Sequence, residues 1–261
     1  MRFLFSQLIP LFRILPVVLF LAPSLLQGQE SPFQKGISAF KKADFDLAIA
    51  CFSDAIKLDP KNAGAFQNRG LMYKIKGDYD QAIEDFNEAI KLNPTEPKLY
   101  CFRGDVFGYK HDYDKAIPDF NEAIRLYPQF AKAYGKRGVA QEYKGKYEEA
   151  LADLKEAIRL EPKSGEVYNS LGWIFATCPK SEIRNGNKAV EYAKKACELD
   201  DKRTGYVDTL AAAYAEAGDF DQAIKLEKQF IETPFLNEMI ATEARQRLAL
   251  YKEHKPYRTE K

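Results

Sequence analysis

Four prolines stand 34 residues apart, at Pro60, Pro94, Pro128 and Pro162. A fixed step of roughly 20–50 residues marks a stack of small structural units in place of one closed globular core. Other columns keep the same step. Gly36, Gly70, Gly104 and Gly138 form one, and Ala48, Ala82, Ala116 and Ala150 another. Phe52, Phe86, Phe120 and Leu154 form a third, and Ala55, Ala89, Ala123 and Ala157 a fourth. At 261 residues two ordinary domains would fit, but a repeat makes each unit lean on the next.

Within one unit, Ala63 to Pro94, Phe66, Leu71, Met72 and Ile75 recur at helical spacing. Gly77-Asp78 breaks the pattern, and Asp78 or Asp80 can cap a second helix. Ala82, Ile83, Phe86, Ala89, Ile90 and Leu92 give a second apolar stripe. It ends at Asn93-Pro94, because the residue before a proline is driven out of the α region. The unit reads as two antiparallel helices. Gly70 and Ala82 fall where their backbones come close, and Phe86 and Ala89 fill the space toward the next unit.

This pattern resembles the tetratricopeptide repeat. Phe66, Gly70, Tyr73, Ala82, Phe86, Ala89 and Pro94 occupy all the usual columns of that family, and Tyr100, Gly104, Phe107, Ala116, Phe120, Ala123 and Pro128 repeat them. The fourth unit keeps Tyr134, Gly138, Ala150, Leu154, Ala157 and Pro162, with Gln141 breaking one column, and the first keeps Gly36, Ala48, Phe52, Ala55 and Pro60, with Pro32 where an aromatic is usual. The resemblance implies an all-α, right-handed solenoid with regular units at 29–62, 63–96, 97–130 and 131–164. A degenerate fifth unit at 165–203 carries an insert at Cys178–Asn187, with its second helix expected over Lys188–Leu199. A degenerate sixth spans 204–236, a capping helix 237–252 and a basic tail 253–261. The run Ala176-Thr177-Cys178-Pro179, the run Lys194 to Leu199 and the closing Lys255-Pro256-Tyr257-Arg258 are similar to a bacterial, often exported, subgroup.

The first 28 residues differ from the rest. Arg2 and Arg13 accompany an apolar stretch from Ile14 to Leu26, and no acidic residue precedes Glu30. That is the layout of a secretory signal peptide cut after Gly28. The alternative is a retained anchor over residues 3–26, at the cost of Arg13 in its middle. The chain is thus expected outside the cytoplasm, periplasmic or extracellular, or tethered to a membrane. Export permits disulfides, but the repeat spaces Cys51, Cys101, Cys178 and Cys197 too widely for bridges, and four free thiols are expected.

Lysine and arginine number 39 against 38 acidic residues, so no cationic excess exists to hold nucleic acid. His111 stands in a turn where other units carry Gly77 and Gly145, and His254 lies near the tail. No phosphate loop, nucleophile elbow or zinc motif occurs. Acidic residues such as Glu84, Asp85 and Glu88 read as caps and solvated helix faces. Neither catalysis nor a cofactor nor a metal is expected.

The resemblance implies that the first helices line a concave groove for a protein or peptide partner. Carried over, the groove candidates are Lys74, Lys98, Asp105, Tyr109, Lys132, Glu142, Tyr143, Asn169 and Trp173. Tyr109 and Tyr143 read equally as an aromatic strip in the groove or as packing on the neighbouring helix. Trp173 reads first as packing beneath the insert. The clamp that chaperone-binding members close on a terminal carboxylate is poorly matched, with Phe33, Ile37, Asn68, Lys98 and Phe102 in its places. The expected function is a non-catalytic interaction scaffold, with a membrane-anchored assembly subunit as the alternative and an enzyme a remote third.

Overall fold

A computed structural model describes residues 30–200, 205–234 and 236–259. Among them are thirteen helices and no strand. The helices pair as hairpins: α1 (Pro32–Lys41) with α2 (Phe45–Leu58), α3 (Ala63–Lys76) with α4 (Tyr79–Leu92), α5 (Pro97–Tyr109) with α6 (Tyr113–Leu126) and α7 (Ala131–Tyr143) with α8 (Tyr147–Leu160). The less regular pairs are α9 (Gly165–Thr177) with α10 (Gly186–Leu199) and α11 (Gly205–Glu216) with α12 (Phe220–Ile231), followed by α13 (Glu238–Lys252). Each helix packs on the next in chain order. The solenoid expected from the columns is the fold observed. The second helix of the fifth hairpin begins at Gly186, two residues earlier than expected, because the Asn185 side chain caps it. The apolar segment at 1–28 lies outside the described residues.

The proline step records where second helices stop. Asp59, Asn93, Tyr127 and Glu161, each just before a column proline, leave the helical region with φ between −139° and −133°. Asp44, Asn62, Asp112 and Asp219 cap helix starts through side-chain oxygens. Asp78 stands at the start of α4 but makes no such bond. The glycine column receives the ring column. A Cβ on Gly104 would lie 2.9 Å from the Phe120 ring, and one on Gly138 2.9 Å from Leu154 Cγ. Each also closes on a column-alanine carbonyl, of Ala116 or Ala150, at 3.2 Å. The ring column reaches the following hairpin as well, with Phe86 and Phe102 centroids 5.8 Å apart.

One expectation is overturned. Asp85 is not a solvated face charge; it is buried, with Asp119 and Asp153 one and two steps on. Arg69, Arg103 and Arg137 grip these carboxylates from the partner helix of the same hairpin, each through two nitrogens at 2.7–2.9 Å. Their third nitrogens donate to Ser53, Asn87 and Asn121 of the preceding hairpin at 2.6–2.9 Å. A second ladder ties the ends of α3, α5 and α7 to the start of the preceding second helix, Lys76 to Asp46, Lys110 to Asp80 and Lys144 to Asp114, and Lys180 of the insert continues it to Glu148.

The turns after α3 and α7 use Gly77 and Gly145 at φ 84° and 71°, whereas Ala43 and His111 hold the equivalent positions at φ 58°. A left-handed backbone costs a residue with a Cβ about 1–2 kcal/mol, which glycine avoids. Ala43 is exposed, so little else changes on substitution. Ala43→Gly is expected to raise unfolding free energy by about 1 kcal/mol, and Gly77→Ala to lower it by about as much. Urea titration of the two variants checks this.

Candidate functional site

The first helices α3, α5, α7 and α9 lie side by side, α9 meets α11, and this inner row forms the candidate groove. Along it, charges from successive units alternate. Lys74 pairs with Asp105, Lys136 reaches Asp105 at 3.3 Å, and Lys136 also reaches Glu166 at 3.0 Å. Burial pushes Asp105 up, but Lys136 and Lys74 outweigh it and hold the carboxyl below its usual range. Burial lowers Lys136, and Asp105 and Glu166 more than reverse that. Lys74 and Asp105 therefore neutralise each other and are poorly available to a partner. Lys98 and Lys132 stay exposed. Lys132 borders a cavity of about 260 Å³ with Lys136, Val139, Glu166 and Ser170.

Each tyrosine packs on the neighbouring hairpin through one face. Tyr109 stacks on Tyr79 at 5.7 Å, with the Lys74 ammonium 5.3 Å from its ring centre. Tyr143 stacks on Tyr113 at 4.9 Å. Yet Tyr109 remains 52% and Tyr143 67% exposed, so each is supported on one side and open on the other. Trp173 packs against the buried cluster that includes Cys178 and Ile183 of the insert, and it has further partners from the C-terminal end. These are Tyr257, 6.0 Å away, and the Arg247 guanidinium, 5.9 Å away.

The C-terminal segment thereby closes one end of the groove. Helix α13 packs on α12 as a cap, and its Arg247 bridges Asp208 of α11 at 2.7 Å and Glu227 of α12 at 3.1 Å. The tail is not a loose basic extension. The Thr259 amide donates to the Thr177 carbonyl at 3.0 Å, and Arg258 pairs with Glu216 at 2.6 Å. Arg184 of the insert pairs with the same Glu216 at 3.2 Å and donates to the carbonyls of Cys178 and Pro179. One carboxylate thus ties the insert to the tail, and the runs at 176–179 and 255–258 meet in space.

These pieces border a half-open cavity of about 780 Å³ lined by α7, α9, α11, α13 and the tail. Four candidates named from sequence, Glu142, Tyr143, Asn169 and Trp173, converge on it. Asp208 of α11 borders it too, as do Glu243, Arg247 and Tyr257, which had no signal in the repeat because α13 and the tail follow no column. Burial alone pushes the Glu142 carboxyl up to about 8. Buried in apolar contacts, the Cys101 thiol is pushed up to about 11, far from a nucleophile. Among the described residues no cluster of three or more His, Cys, Asp or Glu side chains is placed to hold a metal, and no helix is long and apolar enough to cross a membrane.

An all-helical stack with a lined inner face defines a repeat scaffold. Family profiles described as tetratricopeptide repeat match residues 33–62, 63–96, 103–164 and 136–177, and the chain belongs to that family. The chain is similar to the crystal structure of MamA, at 28% identity and a TM-score of 0.55, over 66% of this chain and 97% of that one. It is similar in fold to PilW, titled a widely conserved type IV pilus biogenesis factor, at 21% identity and a TM-score of 0.69, over 81% of this chain and 96% of that one. Pseudomonas aeruginosa pilF shares the fold at 16% identity and a TM-score of 0.68, over 82% of this chain and 95% of that one. No curated protein matches the chain. Tetratricopeptide-repeat proteins are generally scaffolds that bind other proteins.

Proposed function

We propose that this chain is a non-catalytic scaffold that holds a peptide segment of a partner protein along its inner helices, outside the cytoplasm. The observation that carries the reading is the convergence of Glu142, Tyr143, Asn169 and Trp173 on one cavity at the closed end of the groove. Rigid aromatics with one open face give large contact area at low entropy cost. Here Tyr109 and Tyr143 are each braced by a second tyrosine. The apolar stretch before Glu30 supports export, as does the resemblance of the insert and tail runs to a bacterial, often exported, subgroup.

A photo-crosslinking residue at Lys98, Tyr109 or Tyr143 is expected to capture one and the same partner in intact cells. The same probe at Lys57, on the second helix α2, is expected to capture none. Alanine at Lys98, Tyr109 and Tyr143 together is expected to abolish pull-down of that partner; undiminished capture by the triple variant would remove the groove from consideration. N-terminal sequencing of the mature chain checks the address: a start at or near Gln29 means export, and Met1 means an anchor.

A further inference from the structure

We propose that the closed end of the groove receives the positively charged side chain of a lysine or arginine in the partner peptide, set against Glu142 between Tyr143 and Trp173. This rests on the scaffold reading and names what its groove selects.

The charge balance of the cavity carries the inference. Three cations border it, and each is already engaged. Lys144 pairs with Asp114, Lys180 with Glu148 at 2.8 Å, and Arg247 with Asp208 at 2.7 Å. Of the bordering acids, Asp208 is taken by Arg247, but Glu142 and Glu243 have no cationic partner among the described residues. The rise of the Glu142 carboxyl has burial as its sole cause, with no cation to draw it down. Asn169, which borders the same cavity, has its Oδ1 buried without a hydrogen-bond donor. A half-buried carboxyl without a cation is costly, and a cationic side chain entering the cavity offsets that cost. The walls fit the same ligand. Tyr143 stacks on Tyr113 through one face and remains 67% exposed, and an aromatic face attracts ammonium and guanidinium groups. An acidic side chain would face Glu142 and Glu243 and find no unengaged cation.

The chain has a single tryptophan, and it borders the cavity, so its fluorescence reports on this site. The probes are acetyl-Ala-Xaa-Ala-amide tripeptides with arginine, lysine, citrulline or glutamate at the centre, titrated into the full chain. The arginine and lysine peptides are expected to give saturable changes, with the citrulline and glutamate peptides at least tenfold weaker. Citrulline keeps the shape of arginine and lacks its charge, so equal binding by the two would overturn the proposal without any variant. Glu142→Gln is expected to weaken the arginine peptide at least tenfold while the thermal melt is kept, and Glu156→Gln, outside the cavity, to leave it unchanged. Unaltered affinity in Glu142→Gln would also overturn the proposal. Partner crosslinks at Lys98 that persist when no cationic peptide binds would sink the cation site and leave the scaffold standing. Cationic peptides that bind while those crosslinks fail to form would do the reverse.

Discussion

Arg103→Ala is expected to lower the unfolding free energy by about 3 kcal/mol, against at most a few tenths for Arg125→Ala. The two arginines look alike in the chain, and both hold a carboxylate through paired nitrogens. Arg125 grips Glu122 on its own helix, and the pair is 68% and 32% exposed. Water replaces most of what that pair loses. Arg103 crosses to Asp119, whose side chain is only 8% exposed, with bonds of 2.9 and 2.7 Å. Burial pushes the Asp119 carboxyl up, and Arg103 opposes that. Without it a buried carboxylate is left unpaired, which is where the large cost of breaking such a pair arises. The third nitrogen, on Asn87 at 2.6 Å, adds a link to the preceding hairpin. Stability in a linear stack depends on these nearest-neighbour interfaces. Amide exchange should therefore accelerate on both sides of the 96–97 boundary, with residues 205–234 spared. Arg103→Lys keeps the charge but not the planar fork and should fall between the two. The double variant Arg103→Met/Asp119→Leu should recover most of the loss, because no charge then stays buried alone. A single variant as stable as the parent would mean that the ladder contributes register and not stability.

The ladder was as visible in the sequence as the glycines. Arg69, Arg103 and Arg137 each precede a column glycine, and Asp85, Asp119 and Asp153 each precede the ring column. They went unread because charges on amphipathic helices usually face water, and because partners 16 residues apart meet only once a hairpin closes. Where a column is apolar or small, its packing role follows from periodicity. That is why the helix ends and the close approach of the glycine column to the alanine column were legible. The groove's charges were only half legible. Lys74 and Asp105 fell in the right row, but their mutual pairing depends on how far neighbouring hairpins rotate, which no single unit encodes. Trp173 was half legible for a different reason. Its partners Arg247 and Tyr257 lie far along the chain, on a helix and a tail without columns. The meeting of insert and tail at Glu216 spans a comparable separation and left no periodic trace.

Stability of the C-terminal end is expected to fall as pH rises from about 5 to about 9, and Glu227→Gln to flatten that fall. Glu227 is fully buried, and Arg247 is 4% exposed. Arg247 reaches both Glu227 and Asp208, so two carboxyls share one cation. Burial pushes Glu227 up to about 9, and the neighbouring Asp208 adds to the rise; burial also raises Asp208, against the pull of Arg247. The folded chain thus keeps a proton on Glu227 that the unfolded chain releases near the ordinary glutamate value. Between those values the native state binds more protons than the unfolded one, so rising pH favours unfolding, by up to about 1.4 kcal/mol per pH unit for each proton held. Stability is full below the unfolded value and is lost progressively toward the folded one. Glutamine supplies the protonated shape at every pH and removes the slope. Arg247→Met acts in the opposite sense. It leaves two buried carboxyls with no cation and removes the guanidinium beside Trp173, so a loss of about 3–5 kcal/mol is expected at neutral pH. Arg245→Met, which touches only an exposed pair with Glu238, should cost well under 1 kcal/mol. Urea titrations at pH 6, 7.5 and 9, followed by Trp173 fluorescence, read all three variants. An unchanged slope in Glu227→Gln would show that the shared proton resides elsewhere. A mild Arg247→Met would mean that α13 and the tail hold the end of the groove shut through packing alone.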